Sequence, residues 1–102
     1  MMYSIYQVKN APTYEKYLFA STRDLSDAGL AVSRENYDLV WSSRAIRGRN
    51  DDEHALSELY ARFNLRHPTG YKGRSMSVSD VVVIDGRAYY VDPFAFVPIE
   101  FI

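Results

Sequence analysis

The chain has no cysteine and only two histidines, His54 and His67. Without cysteine there can be no disulfide, no thiolate nucleophile and no zinc site built on sulfur. Two histidines also make a multi-histidine metal site a poor expectation. No apolar run approaches the ~20 residues of a membrane span. The opening MMYSIYQVKN lacks the basic-then-apolar plan of a secretory signal. Internal repeats, low-complexity tracts and linkers are absent as well. These gaps together lead us to expect a soluble protein of the cytoplasm with no cofactor. A dominant charge is missing too: 12 basic and 13 acidic residues leave a net charge of −1. That excludes a strongly basic nucleic-acid binder, and equally an acidic mimic of DNA.

What is present is an ordinary globular composition, 47% hydrophobic and 25% charged over 102 residues. Such a length predicts one domain, residues 1–102, with a single core of modest reserve. There is enough apolar surface to offset chain entropy, so disorder is not expected. Nine tyrosines, five phenylalanines and one tryptophan make the chain rich in aromatics. Tyrosine carries a polar tip on an apolar body, which suits the edge of a core or an interface.

The clearest local signal is SMSVSDVVVIDGRAYYVDPFAF, residues 75–96. Two runs rich in Val and Tyr flank Asp85-Gly86, a dipeptide that favours a two-residue hairpin turn. The implied register pairs Ile84 with Arg87, Val82 with Tyr89, and Asp80 with Val91. On the other face it pairs Val83 with Ala88, Val81 with Tyr90, and Ser79 with Asp92. The hairpin is thus expected over 77–92. Both faces are mostly apolar, so it should lie centrally, covered on both sides. Residues 94–101 are expected to add an edge strand around Pro98.

Upstream, residues 2–8 read as a strand, with Tyr3 and Ile5 on one face and Tyr6 and Val8 on the other. Residues 13–20 are ambiguous. Tyr14, Tyr17 and Leu18 stand at helical spacing, yet 17–19 also fit a short strand, and a strand at 16–20 is preferred. Ser21 and Asp24 form a capping pair for a short helix near 22–29, which Gly29 would end. Ser33 could cap a single turn through Asn36. Residues 37–41 read as a strand with Tyr37, Leu39 and Trp41 on one face. Residues 42–50 read as a polar, arginine-rich loop. Asn50 and Glu53 match a capping box that opens the main helix, about 51–64, with Leu56, Leu59, Tyr60 and Phe63 as its apolar stripe. His67, before Pro68, should be extended. The fold class is therefore α+β: a mostly antiparallel sheet that could curl toward a barrel, a main helix and a shorter one.

Three groups of residues could carry chemistry. Ser77, Ser79, Asp80 and Asp92 gather at the open end of the hairpin, but no base stands near them and no nucleophile-elbow motif is present. They read as fastenings of loop backbone. Asp51, Asp52, Glu53 and Glu58 could hold a cation, but in the first turns of a helix they serve capping and the dipole, with His54 paired to Glu58. The third group is the basic segment 66–74. Arg66, Tyr71, Lys72 and Arg74, with Arg44, Arg47 and Arg49, are the candidate contacts to a nucleic acid or a protein partner. No phosphate-loop, dinucleotide or RNA-recognition motif accompanies them.

Several segments together resemble a known family. They are Tyr-Ser-Ile-Tyr-Gln-Val at 3–8, Gly-Leu-Ala-Val at 29–32, Tyr-Asp-Leu-Val-Trp at 37–41 and Leu-Tyr-Ala-Arg-Phe-Asn at 59–64. His67-Pro68, the run 73–82 and Tyr-Val-Asp-Pro-Phe-Ala-Phe at 90–96 complete the set. The pattern resembles the YodL-like domain over nearly the whole chain. Pro93 and Ala95 stand where the pattern often has Ser and Gly, which could alter the final bend. The resemblance implies proteins of conjugative elements and phages of Firmicutes, among antirestriction and DNA-processing modules. It brings no catalytic residues to carry over. The expected role is a non-enzymatic accessory module, of an anti-defence kind, that contacts a host or element-encoded protein. Nucleic-acid binding through 44–49 and 66–74 is the alternative, and self-association stays open.

Overall fold

The structure, a computed structural model, describes residues 2–44 and 51–102. Five strands form one sheet: β1 (Met2–Val8), β2 (Tyr37–Arg44), β3 (Val81–Ile84), β4 (Arg87–Val91) and β5 (Phe96–Ile99). Their order is β2-β1-β3-β4-β5, and each neighbouring pair is antiparallel. The sheet is open, with β2 and β5 at its edges, and does not close into a barrel. The chain end reaches back across one face instead, where the Arg34 N–H donates to the Ile102 carbonyl at 2.8 Å.

The hairpin forms in the register its sequence dictates, with Val81 opposite Tyr90 and Ile84 opposite Arg87. Asp85 (φ 47°) and Gly86 (φ 85°) both adopt the left-handed conformation that the two-residue turn requires. The turn is also fastened to β1. The Met2 N–H donates to Asp85 Oδ1 at 2.8 Å, and the Asp85 N–H to the Met2 carbonyl at 2.9 Å. The strands are shorter than the expected 77–92. The regular ladder stops at Val81 because Ser79 is left-handed (φ 89°), although the Ser79 N–H and the Asp80 carbonyl still pair with Val91, at 3.0 and 2.9 Å, in a bulge.

Each face of the sheet has its own core. On one side, α2 (Asp52–Leu65) lays Ala55, Leu56, Leu59 and Phe63 against Tyr3, Ile5, Val82, Ile84 and Val91. Burial of each such large side chain stabilises by about 1.5–3 kcal/mol. The cap of α2 is Asp51, whose carboxylate accepts from the Glu53 N–H at 3.1 Å. Capping by Asn50 falls outside the described residues. Tyr60, expected in the stripe, lies at its margin and meets Phe96 edge-on at 6.2 Å. On the other side, Val8, Leu25, Tyr37, Val81, Tyr90 and Phe101 pack together beneath α1 (Thr22–Asp27) and the loops around it. The Ser21–Asp24 pair is a full capping box, and Gly29 (φ 69°) follows the helix. Residues 13–20 form successive tight turns, not a strand: a 3-10 turn at Pro12–Tyr14 continues through i→i+3 bonds as far as Ala20. Their tyrosines at helical spacing fold down onto this second core.

Strand β2 differs from its expected form. It continues to Arg44, so Ser42, Ser43 and Arg44 are strand and not loop. Its alternation also breaks. Ile5 opposes Trp41 and Tyr6 opposes Leu39, which leaves Val40 as an extra residue in a β-bulge. Tyr37 therefore joins one core while Trp41 packs on the other, against Phe63 and Tyr71. Leu39 is 55% exposed.

Candidate functional site

Two of the described candidate contact residues, Arg44 and Arg74, are anchored at the two ends of β1. Arg44 pairs with Met2 at one end of β1, whereas the Arg74 backbone is bound to Gln7 near the other end. Those points are roughly 17 Å apart, at ~3.3 Å per strand residue. Arg66 is exposed at the C-cap of α2, and Lys72 is exposed on the loop that follows. Tyr71 is no platform. Its ring packs edge-on to Phe63 (4.9 Å), His67 (5.0 Å) and Trp41 (6.0 Å), and its hydroxyl donates to the Arg74 carbonyl. Arg47 and Arg49 fall outside the described residues.

Arg74 is held where it is by a strand side chain. Gln7 Oε1 accepts from the Arg74 N–H at 2.9 Å, and Gln7 Nε2 donates to the Arg74 carbonyl at 3.0 Å. One side-chain amide thus imitates a strand neighbour for the 66–74 loop. The Arg74 guanidinium reaches the Val8 carbonyl at 3.3 Å. Two shallow clefts, of about 150 and 230 Å³, share Asn10 and Arg74. Lys9 and Glu15 line the first, Lys72 and Asp38 the second. Each lysine therefore has a carboxylate for company, and neither cleft is strongly cationic.

Beneath this loop lies the most unusual group in the chain. Asp80 is fully buried. Its Oδ2 accepts from Gln7 Nε2 at 3.0 Å and from the Ser77 N–H at 3.1 Å, while Oδ1 has no partner among the described residues. Burial pushes the carboxyl up to about 7, against the pull of Gln7, the Ser77 N–H and the Arg74 charge. Around it, Tyr37 donates to the Ser79 carbonyl at 2.7 Å, and Tyr90 donates to the Ala20 carbonyl at 2.6 Å. Burial raises both hydroxyls far above the ordinary phenol range and puts Tyr71 at about 12, so all three stay protonated donors.

Ser79 and Asp92 do not face one another. Ser79 Oγ accepts from the Phe19 N–H at 3.0 Å. Asp92 takes the Thr22 N–H (2.8 Å) and hydroxyl (2.7 Å), one on each oxygen. Both residues fasten the 19–22 segment to the sheet. Asp52, in the first turn of α2, is held by Arg87 at 2.6 and 2.9 Å and by the Tyr89 hydroxyl. These donors hold its carboxyl below the usual range. His54 and Glu58 pair at 3.0 Å. Among the described residues, no cluster of three or more His, Asp or Glu is placed to hold a metal ion. Nor is any helix there long and apolar enough to cross a membrane.

A third region lies at the final bend, where the exposure of Phe94 is not foreshadowed by the sequence. The Asp92 N–H donates to the Ala95 carbonyl at 2.9 Å, closing a tight bend at Pro93-Phe94 between β4 and β5. Phe94 stands at its tip, 100% exposed. Beside it is a cleft of about 340 Å³, floored by Tyr60, Val78, Val91 and Phe96 and edged by Glu53 and Asp92.

The sequence model of one family, the YodL-like domain, matches residues 2–101. The chain belongs to the YodL-like domain family. No curated protein and no solved structure matches it significantly. Two of the segments that carry the family resemblance have clear places in this YodL-like domain. Residues 75–82 hold the buried Asp80 node, and residues 90–96 form the bend that presents Phe94. Pro93 occupies that bend. Asp80 fastens the Ser77 N–H, as its sequence position suggests, and the sequence also signals its burial: Gln7 shares the face of Tyr3 and Ile5, so a polar side chain points into the core. Phe94 had no such signal, because nothing local separates an exposed phenylalanine from a buried one.

Proposed function

We propose that this YodL-like domain is a non-enzymatic accessory module of a mobile genetic element, and that it works in the host cytoplasm by contact with another protein. The association of the family with mobile genetic elements of Firmicutes supplies the setting, and an anti-defence role is the activity class that suits it. The observation that carries the contact reading is Phe94. A fully exposed phenylalanine held at the tip of a tight bend, next to an aromatic cleft, is the form an interface anchor takes. Covering it would be worth about 1.5–3 kcal/mol. Asp80, the one strongly perturbed carboxyl, is sealed from solvent and bound by the protein's own amides, so it has no route to a substrate.

Nucleic-acid binding is the weaker reading. Of its proposed contacts, Tyr71 is occupied in the core, Arg74 is tied to β1, and Arg44 stands apart from both. Two measurements decide between the readings. A photo-crosslinking amino acid at position 94, in cells carrying the element, should form an adduct with a discrete protein. The same group at Asp38 should not. Absence of any protein adduct at 94 sinks the contact reading. Titration with single- and double-stranded DNA and RNA at low salt should show no salt-dependent binding. Binding that weakens when Lys72 and Arg66 are removed would favour the alternative.

A further inference from the structure

If the contact reading holds, the cleft beside Phe94 also indicates what covers it. Its floor is aliphatic and aromatic, and no cation lines it among the described residues. The two charges at its edge are carboxylates. Asp92 is satisfied within the chain by Thr22, but Glu53 is exposed and has no partner among the described residues. Glu53 lies in the first turn of α2, whose positive end is already offset by Asp51, Asp52 and Glu53 together. The electrostatic need at the rim is therefore for a cation. At about 340 Å³ the cleft is at the small end of ligand pockets, room for one or two side chains and not for a large cofactor.

We infer that the cleft receives a short segment of a different protein, in which one bulky apolar side chain stands next to a lysine or arginine. The apolar side chain enters between Tyr60, Phe94 and Phe96, and the cation meets Glu53. A second copy of this chain fits less well. A second copy presents the same cleft lining, with Glu53 and Asp92 and no lysine or arginine. A basic partner therefore complements the rim better than a second copy of that lining does.

The test is selection from a random dodecapeptide display library against the intact protein. Phe94→Asp and Glu53→Lys serve as comparison targets, and both positions are exposed, so circular dichroism should show unchanged folding. Enriched peptides should pair a bulky apolar residue with Lys or Arg. Either substitution should weaken their binding at least tenfold, and raised salt should weaken it further. Peptides that need Phe94 but are neutral or acidic, or that ignore Glu53→Lys, overturn the inference and leave the contact reading intact. Failure to enrich any Phe94-dependent peptide overturns it too. If position 94 also forms no protein adduct in cells, the contact reading fails with it. Sedimentation that shows a dimer for the unmodified chain and a monomer for Phe94→Asp would assign the cleft to a second copy and overturn the inference.

Discussion

Replacing Asp80 by asparagine perturbs the buried node with little change of shape. In the folded protein the Asp80 carboxyl titrates at about 7, raised by burial from an ordinary value of 3.8. In the unfolded chain it returns to the ordinary value. Between those two pH values the native state holds a proton that the unfolded state has lost. The stability this group contributes is therefore full below pH 4, falls as pH rises, and is gone above about 7. Each pH decade in the window is worth about 1.4 kcal/mol, so the ceiling is on the order of 4 kcal/mol. Restricting the comparison to pH 5–8, where other carboxylates are already ionised, leaves a loss of about 2–3 kcal/mol. That is a large share of the 5–15 kcal/mol typical of a small domain. Urea unfolding followed by Trp41 fluorescence at pH 5, 6, 7 and 8 measures it. The unmodified protein should weaken steadily across the series. Asp80→Asn should be nearly flat, less stable than the parent at pH 5 and equal or better at pH 8. A parent profile that is flat or rises from pH 5 to 8, or a variant that keeps the slope, refutes the assignment of a neutral Asp80.

Three other outcomes test the framework around this node. Gly73→Ala places a Cβ on the Tyr71 hydroxyl and ring and 2.9 Å from Gln7 Oε1, so the loop clamp must shift; a loss of about 1–3 kcal/mol in chemical unfolding is expected. Tyr37→Phe removes the buried donor to the Ser79 carbonyl and should cost about 1–3 kcal/mol, with no change in the sheet signal of circular dichroism. Asp52→Asn weakens the contact of α2 with Arg87 and Tyr89. Because the carboxyl is held below its usual range, its contribution is present above pH 4 and lost as pH falls through the folded value, opposite in sign to Asp80. Solvent screening limits it to about 0.5–1 kcal/mol, measured as a midpoint difference between pH 7 and pH 3.

Much of this fold was legible in the chain because its strongest signals are local. Asp85-Gly86 sets the register of β3 and β4 without help from distant residues. The alternation in 2–8 already divides Tyr3 and Ile5 from Tyr6 and Val8, and the two cores keep that division. The stripe of α2 and the capping box at Ser21 are local as well. What escaped depends on contacts far apart in sequence. The bulge at Val40 arises from pairing with β1, so Tyr37 and Trp41 cannot be assigned opposite faces from β2 alone. The turns at 13–20 are shaped by the sheet beneath them, through bonds such as Phe19 N–H to Ser79 Oγ. The charge of the basic segment is visible in the sequence, but the destination of each residue is not. Gln7, 67 positions before Arg74, makes the Arg74 backbone an anchor.

The open sheet leaves two edges, and each is blunted in a different way. β5 is four residues long and contains Pro98, which has no N–H to offer a neighbour. β2 is eight residues long, but the bulge at Val40 bends it partway along. A flat, unbroken edge would be a template for other extended chains, and repeated pairing of that kind leads to fibres. With both edges disrupted, the domain offers other extended chains no long, flat edge to pair with. Restoring an even edge by deleting Val40 would therefore be expected to lower soluble yield as well as misplace Trp41.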